Sequence, residues 1–437
     1  MKAKSFTSYK EFIKYMVDNL DAVSGVKEFK GRIYKYHTKS YSCSYPLETE
    51  SLTPNKFCES LGITNYQAFK HFKLDTLRKL PNYEPSLWKY GYFGGLVGLN
   101  SELVNKYVGT GEITSFYDYD INSAYLTALT DYLPTMFKRT LTPFEFARLS
   151  EFDKVENMYF FKIEIPQERI FFFNILGDIR PNMVDFDFLA TKPNATMIVS
   201  ELRLSLINQV YKPNYKILEV YEFEQHKHYM YKNILDRYTA LKGSKGKEFK
   251  RDALKLYGSL GQIYRRKIKS LIIDGDLIRY RTEEEVNLDS SPQVAMWVAD
   301  SVAVRLFEII QSNKDKILSW NTDGFTAIAP IKGIKHTTKA GGWKVRKIIG
   351  TAHITSEDAS RVLYHDIHSN EWIGSNTIEE HKGKLCEYAD IGYTSIKRGY
   401  VIKRRYVALN LSQQYDPSST YRALWLKEYY RKEKEYF

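Results

Sequence analysis

Apolar and polar positions change rhythm near Trp88, where alternating runs begin to intersperse with stretches carrying apolar residues three and four apart. Alternation predicts strands over Glu112–Asp120, Lys162–Ile165 and Leu271–Arg281, and the wider spacing predicts helices over about 225–262 and 292–312. The stretch Lys267–Arg281, with Asp274-Gly275-Asp276 at its centre, reads as a β-hairpin. Strands and helices do not alternate strictly, so the expected class is α+β rather than a doubly wound sheet. Residues 1–85 read as a small, mostly helical unit. Within it, residues 56–72 have the pattern of a helix-turn-helix: Gly62 ends one helix, Thr64 caps the next, and Ala68, Phe69 and Phe72 line its inner face. The same pattern suits a helical hairpin with no nucleic-acid role.

Charge sharpens this picture. The chain carries 64 Lys plus Arg against 52 Asp plus Glu, a net +12. Such an excess favours a polyanionic partner, because cationic side chains gain by displacing condensed counterions; a generally lysine-rich composition gives the same number. Aromatic residues reach 15%, with 35 Tyr against 6 Trp, and tyrosine offers a stacking face with a polar tip. The three cysteines (Cys43, Cys58, Cys386) show no paired spacing, so neither a disulfide framework nor a zinc site is expected, and a reducing, cytoplasmic setting fits. Residues 1–20 are too interrupted by charge for a signal peptide, and no run approaches a membrane span, so no membrane partner is expected. There are no internal repeats or low-complexity linkers.

Three segments carry chemistry. In Ser115–Tyr125 a strand-prone run ends on Asp120, followed by Asn122 and Ser123, candidate caps of a helix that bears Tyr125. A strand that delivers a carboxylate where a helix begins can present an oxygen ligand to a hard cation, although a capped helix after a strand reads the same way. In Lys316–Ala329, two apolar runs flank Asn321-Thr322-Asp323-Gly324, the sequence of a hairpin tip, and Asp323 there supplies the second carboxylate that a two-metal site requires. Between them, Lys250, Leu254 and Tyr257 fall on one helical face, where a cation and a ring two turns apart could hold a triphosphate and cover a base. An ordinary amphipathic helix with extended lysines has the same pattern.

At these residues the chain resembles the protein-primed branch of family B DNA polymerases. Asp120-Ile121-Asn122-Ser123-Ala124-Tyr125-Leu126 resembles motif A (D-x-x-S-L-Y-P), Lys250–Gly258 resembles motif B (K-x-x-x-N-S-x-Y-G), and Asn321-Thr322-Asp323-Gly324 resembles motif C (D-T-D-S). Tyr92-Phe93-Gly94-Gly95 matches the Y-x-G-G element, and Arg404-Arg405-Tyr406 stands where the family has K-x-Y. The departures are Leu126 for Pro, Leu254-Lys255 for Asn-Ser, Asn321 for the first Asp of motif C, Gly324 for its Ser, and Arg404 for Lys.

The resemblance implies a right-hand polymerase over residues 86–437, with an antiparallel palm sheet. It divides the chain into a palm (about 86–130 and 291–345), an insertion like the terminal-protein region (131–225), fingers (226–262), a hairpin insertion (263–290) and a thumb (346–437). It implies that Asp120, Asp323 and the Ile121 carbonyl hold two Mg²⁺ ions, for which Mn²⁺ can substitute. Ser123, Tyr125, Lys250 and Tyr257 would surround an incoming dNTP, with Tyr125 rejecting a 2′-hydroxyl. Tyr92, Gly94, Gly95, Lys397, Arg404 and Tyr406 would contact a DNA primer–template, and a terminal protein is the implied priming partner. Asp118 would share the face of Asp120 and could compensate for Asn321. No proofreading exonuclease is expected, since residues 1–85 show no Asp-x-Glu. Two other readings stay open: a polymerase-fold enzyme using an RNA template or adding nucleotides without one, and a non-catalytic DNA-binding replication protein.

Overall fold

The computed structural model describes residues 24–29, 32–37, 40–46, 59, 61, 74–80, 84–92, 95–166, 194–211, 215–241, 243–274, 277–355, 362–373, 378–381, 384–396 and 399–410. Near the start, β1 (Ser24–Phe29), β2 (Arg32–His37) and β3 (Ser40–Pro46) form an antiparallel sheet. Over residues 24–46 these strands stand where a mostly helical unit was expected, and residues 1–23 lie outside the described residues. Tyr34 and Tyr36 in β2, and Tyr41, Cys43 and Tyr45 in β3, recur at every second position, a period that suits a pleated sheet rather than a helix. Most of the 56–72 pattern lies outside the described residues.

Helix α1 (Pro85–Gly91) leads to β4 (Leu96–Leu99), α2 (Ser101–Tyr107), β5 (Thr114–Ile121) and the short α3 (Ala124–Ala128). An insertion follows, made of β6 (Tyr132–Leu141), α4 (Pro143–Ala147), α5 (Glu151–Glu156), β7 (Asn157–Pro166), β8 (Asn194–Ser200), α6 (Glu201–Tyr211) and β9 (Lys216–Lys227). Its four strands pair in the order β6-β9-β7-β8. The helix expected over 225–262 is two helices, α7 (Tyr229–Ala240) and α8 (Gly243–Leu260), because Leu241 turns extended just before the helix-weakening Gly243. The expected hairpin is present and longer, β10 (Tyr264–Asp274) against β11 (Leu277–Val286). Helix α9 (Pro292–Ser312) matches its prediction and starts on a proline, which needs no N–H partner in the first turn.

The remaining strands are β12 (Ile317–Thr322), β13 (Gly324–Ala327), β14 (Trp343–Thr355), β15 (Val362–Asp366), β16 (Glu371–Ile373), β17 (Ile378–His381), β18 (Lys384–Ile396) and β19 (Gly399–Asn410). They build a large antiparallel sheet in the order β17-β18-β19-β14-β5-β13-β12-β4, with β15 and β16 branching from β14. Its two faces differ. Tyr119, Ile121, Trp320, Phe325 and Trp343 belong to a core that includes Val302, Ala303, Leu306 and Phe307 of α9. On the opposite face Phe116, Leu318, Ile348 and Tyr364 pack with Leu103 and Val104 of α2, the apolar cluster that covers this face among the described residues.

Among the buried contacts that join the insertion to this body, two differ in kind. Trp88 of α1 packs against Phe160 (centroids 5.4 Å apart) and Tyr221 (6.2 Å) of the insertion sheet. The Arg203 guanidinium on α6 meets Asp300 on α9 at 2.7 Å, both side chains 2% exposed, while the Ser200 hydroxyl donates to the other Asp300 oxygen at 2.6 Å. Removing one partner of such a pair leaves an uncompensated buried charge, at a cost of about 3–5 kcal/mol.

Beside this pair, burial raises the Glu201 carboxyl to about 8, offset only in part by the Tyr159 N–H that donates to it. The unfolded chain releases this proton near 4.5 and the folded chain not until about 8, so native stability declines as pH rises across that window. Glu201→Gln is expected to match the parent protein in thermal denaturation at pH 4 and to gain progressively between pH 4.5 and 8. A parallel pair of curves would show that Glu201 is ionised in the fold.

Candidate active site

The site is built by register. Strand β5 lies between β13 and β14, with Asp120 opposite Gly324 on one side and Lys344 on the other. One step down the same face, Asp118 is opposite Thr326 and Arg346. Tyr119, between the two aspartates, is buried in the opposite core and stacks on Phe325 at 4.7 Å. Period-two alternation thus turns both carboxylates onto the face that α9 does not cover.

Asp323 reaches the same place from the hairpin tip. Asn321 pairs with Gly324, leaving Thr322-Asp323 as a two-residue loop, and the Ile121 N–H donates to the Asp323 carbonyl at 3.0 Å. Thr322 sits at φ 62°, a left-handed conformation that a β-branched residue adopts at a cost of about 1–3 kcal/mol. The tip is held from behind: a Cβ on Gly95 would lie 2.8 Å from the Thr322 Cα, so only glycine lets this segment approach. The structure therefore gives Gly95, expected at a primer–template contact, a packing role against the tip. Gly324 likewise cannot carry a side chain here, since its Cβ would lie 2.5 Å from the Tyr119 carbonyl.

Three tyrosines from separate segments meet beside the carboxylates. The rings of Tyr125 and Tyr257 are 5.1 Å apart, the Tyr92 and Tyr257 hydroxyls are 3.1 Å apart, and Tyr257 donates to the Ala295 carbonyl on α9 at 3.2 Å. With the Tyr257 proton directed to that carbonyl, Tyr92 donates to the Tyr257 oxygen. Burial raises all three hydroxyls, and the charge of Asp323 adds to the rise at Tyr125. Tyr125 extends from α3, which begins at Ser123 in left-handed geometry (φ 55°) with no side-chain cap. The expected capping role is thereby corrected: Asn122 instead donates its side-chain amide to the Thr337 carbonyl at 2.6 Å.

The electrostatics describe a charged cleft. Burial, then the negative charge of Asp120, lifts Asp323 to about 6, and the Lys250 ammonium pulls it back. Burial also raises Asp120, opposed first by Lys250 and then by Lys344. Asp118 is raised by burial and by Asp120, and it accepts from the Thr326 hydroxyl at 3.3 Å. Lys250 of α8 thus faces both Asp120 and Asp323, bringing together the three segments singled out by sequence. The donor set suits a hard divalent cation: two crowded carboxylates that resist ionising together. Among the described residues no three His, Cys, Asp or Glu side chains form a ready metal cluster, so water and ligand oxygens would have to complete a coordination shell.

Gly94 and Lys397 lie outside the described residues. Arg404 and Tyr406 are on β19, opposite Asp390 and Tyr388, and β19 meets β14 only through Ile354 and Thr355. Register carries Arg404 past that end of β14, away from Asp120, so these two are not brought to the carboxylates. Sequence reasoning missed Lys344 and Arg346. The alternation in Trp343-Lys344-Val345-Arg346 marks a strand with one cationic face, but only pairing reveals which residues that face meets.

No family model and no curated protein matches the chain. Solved structures do. Phi29 DNA polymerase complexed with primer-template DNA and incoming nucleotide substrates superposes with a TM-score of 0.51 at 15% identity, over 82% of this chain and 66% of that one. Its post-translocation complex with primer-template DNA gives 0.50 at 17%, over 81% and 59%. The fold is DNA-polymerase-like. The chain spans between 58% and 66% of the length of the Phi29 polymerase structures it matches. Within this polymerase-like fold, no described helix is long and apolar enough to cross a membrane.

Because Asp323 stays protonated to about 6, divalent-cation binding is expected to expel a proton at acidic pH. Calorimetric titration with Mn²⁺ in buffers of differing ionisation enthalpy should register proton release near pH 6 and almost none at pH 8. Equal release at both values would place the raised group elsewhere.

Proposed function

We propose that this chain is a template-directed DNA polymerase that transfers a nucleotide from dNTP to a primer 3′-hydroxyl, as in the protein-primed branch of family B. The observation that carries this reading is the meeting of Asp120, Asp323 and Lys250 beside Tyr92, Tyr125 and Tyr257, at the open end of a polymerase-like sheet. A DNA-binding protein without catalysis has no need to hold two carboxylates against each other at an electrostatic cost.

Asp120 and Asp323, with the Ile121 carbonyl, would hold two Mg²⁺ ions. Bound there, the ions would supply charge neutralisation and a more acidic primer hydroxyl. Lys250 would balance charge on the incoming triphosphate, a contact whose benefit grows as negative charge gathers on the leaving group. Tyr125 would lie under the sugar and exclude a 2′-hydroxyl by bulk. Its hydroxyl stays protonated through the neutral range, because burial and Asp323 both oppose ionisation. Tyr257 would pack at the nascent base pair, locked by its hydrogen bonds to Tyr92 and Ala295. Arg404 and Tyr406 would track nucleic acid farther from the chemistry.

Priming by a protein is part of the proposal. The insertion between the two carboxylate-bearing segments is where such a partner would dock, and α4 and α5 leave Phe144, Phe152 and Val155 exposed there.

The test is extension of a labelled primer on a DNA template with Mg²⁺ or Mn²⁺. Asp323→Ala and Asp120→Ala are each expected to lower the rate about a thousandfold while the protein stays folded by circular dichroism. Tyr125→Ala should raise rNTP use relative to dNTP by about tenfold or more. Extension that survives either aspartate change would reject the site, and unchanged sugar selection would reject the role of Tyr125.

A further inference from the structure

Two lysines flank the carboxylates, and they do so from different sides. Lys250, on α8, exerts its charge on both Asp120 and Asp323. Lys344, on β14, acts on Asp118 and Asp120, the two aspartates of β5. The register explains the difference. Lys344 is paired directly across from Asp120, on the side of β5 away from the hairpin that carries Asp323.

Lys344 is exposed, whereas its neighbours Trp343 and Val345 turn into the α9-side core. It therefore stands on the open face, level with the carboxylates. Arg346, the next residue on that face, is tied to Glu371 at 3.0 Å. Lys344 makes no ion pair among the described residues. Directly below, Asp118, Thr326, Tyr364 and Ser319 form a hydrogen-bonded polar layer. An exposed ammonium with no ion-pair partner among the described residues is a fitting seat for an anion that approaches from solvent.

We infer that Lys344 binds a backbone phosphate of a nucleic-acid strand lying along the open face of the sheet, while Lys250 serves the incoming nucleotide on the other side of Asp120. The inference rests on the polymerase reading and adds a residue that the motif resemblance does not include. Asp118, opposite Arg346 in the register and one step along from Lys344's partner Asp120, feels the charge of both side chains. A single strand phosphate matches the exposed, flexible ammonium, which needs no fixed fork geometry.

Lys347 provides the control. It is exposed on the same strand, but it is paired with Tyr117 and its ammonium lies 6.0 Å from that ring, on the opposite face. Lys347→Ala removes the same charge and leaves the proposed seat intact. Binding of a fluorescent primer–template is measured by anisotropy across a salt series in EDTA, so that neither metal nor dNTP is required. Lys344→Ala should weaken binding about tenfold and lower the slope of log affinity against log salt by about one, and Lys344→Arg should restore both. Lys347→Ala should change either quantity far less. In extension assays Lys250→Ala should raise the KM for dNTP, whereas Lys344→Ala should leave it within about twofold. If Lys344→Ala and Lys347→Ala are indistinguishable while the parent protein binds and extends, this inference falls and the polymerase reading stands. If the parent protein binds no primer–template, both fall.

Discussion

The structure turns on the repulsion between Asp120 and Asp323. Strand pairing brings them together without any covalent or chelating link, and burial strengthens the conflict by removing the water that would screen it. Much of the surrounding architecture holds this arrangement in place. The tip of the β12–β13 hairpin accepts a left-handed Thr322, Gly95 packs against it from the bend before β4, and the Ile121 N–H clasps the Asp323 carbonyl. Lys250 and Lys344 relieve the repulsion in part, from opposite sides.

Such a site stores electrostatic energy that a cation can release. A protein selected only for stability would place amides where these aspartates lie, since an amide carries no charge to bury. The neighbouring tyrosines follow the opposite logic. Tyr92, Tyr125 and Tyr257 stay neutral and find partners in one another and in α9, so they add shape without further charge. Chemistry and shape are thus supplied by different groups within one cleft.

The insertion is tied to α9, which packs on the large sheet, through a buried ion pair. Asp300 lies on the same helix as Ala295, the acceptor for Tyr257, and its partner Arg203 belongs to the insertion. Buried ion pairs confer little net stability but tolerate few alternative arrangements, which suits a joint whose geometry matters more than its strength.

Read alone, the residues determined the elements nearest the chemistry: the strand ending at Asp120, the Asn321–Gly324 tip, the core of the hairpin over 267–281 and helix 292–312. Each depends on local periodicity or turn preference, which a chain carries in its own order. The early strands were missed because their tyrosine alternation lies among charged residues that also suit helices, and the helix over 225–262 was over-read because one glycine decides its break. Ser123 as a cap failed because a left-handed turn, not a hydroxyl, starts that helix. What only the tertiary structure decided is partnership. Strand register is a long-range choice, and a slip of one residue would turn Asp118 and Asp120 into the core. Lys344 acquires meaning only when β14 lies beside β5, and Gly95 only when β4 lies against the hairpin. The residues named the two carboxylates, and pairing across two hundred positions of sequence decided that they would face one another.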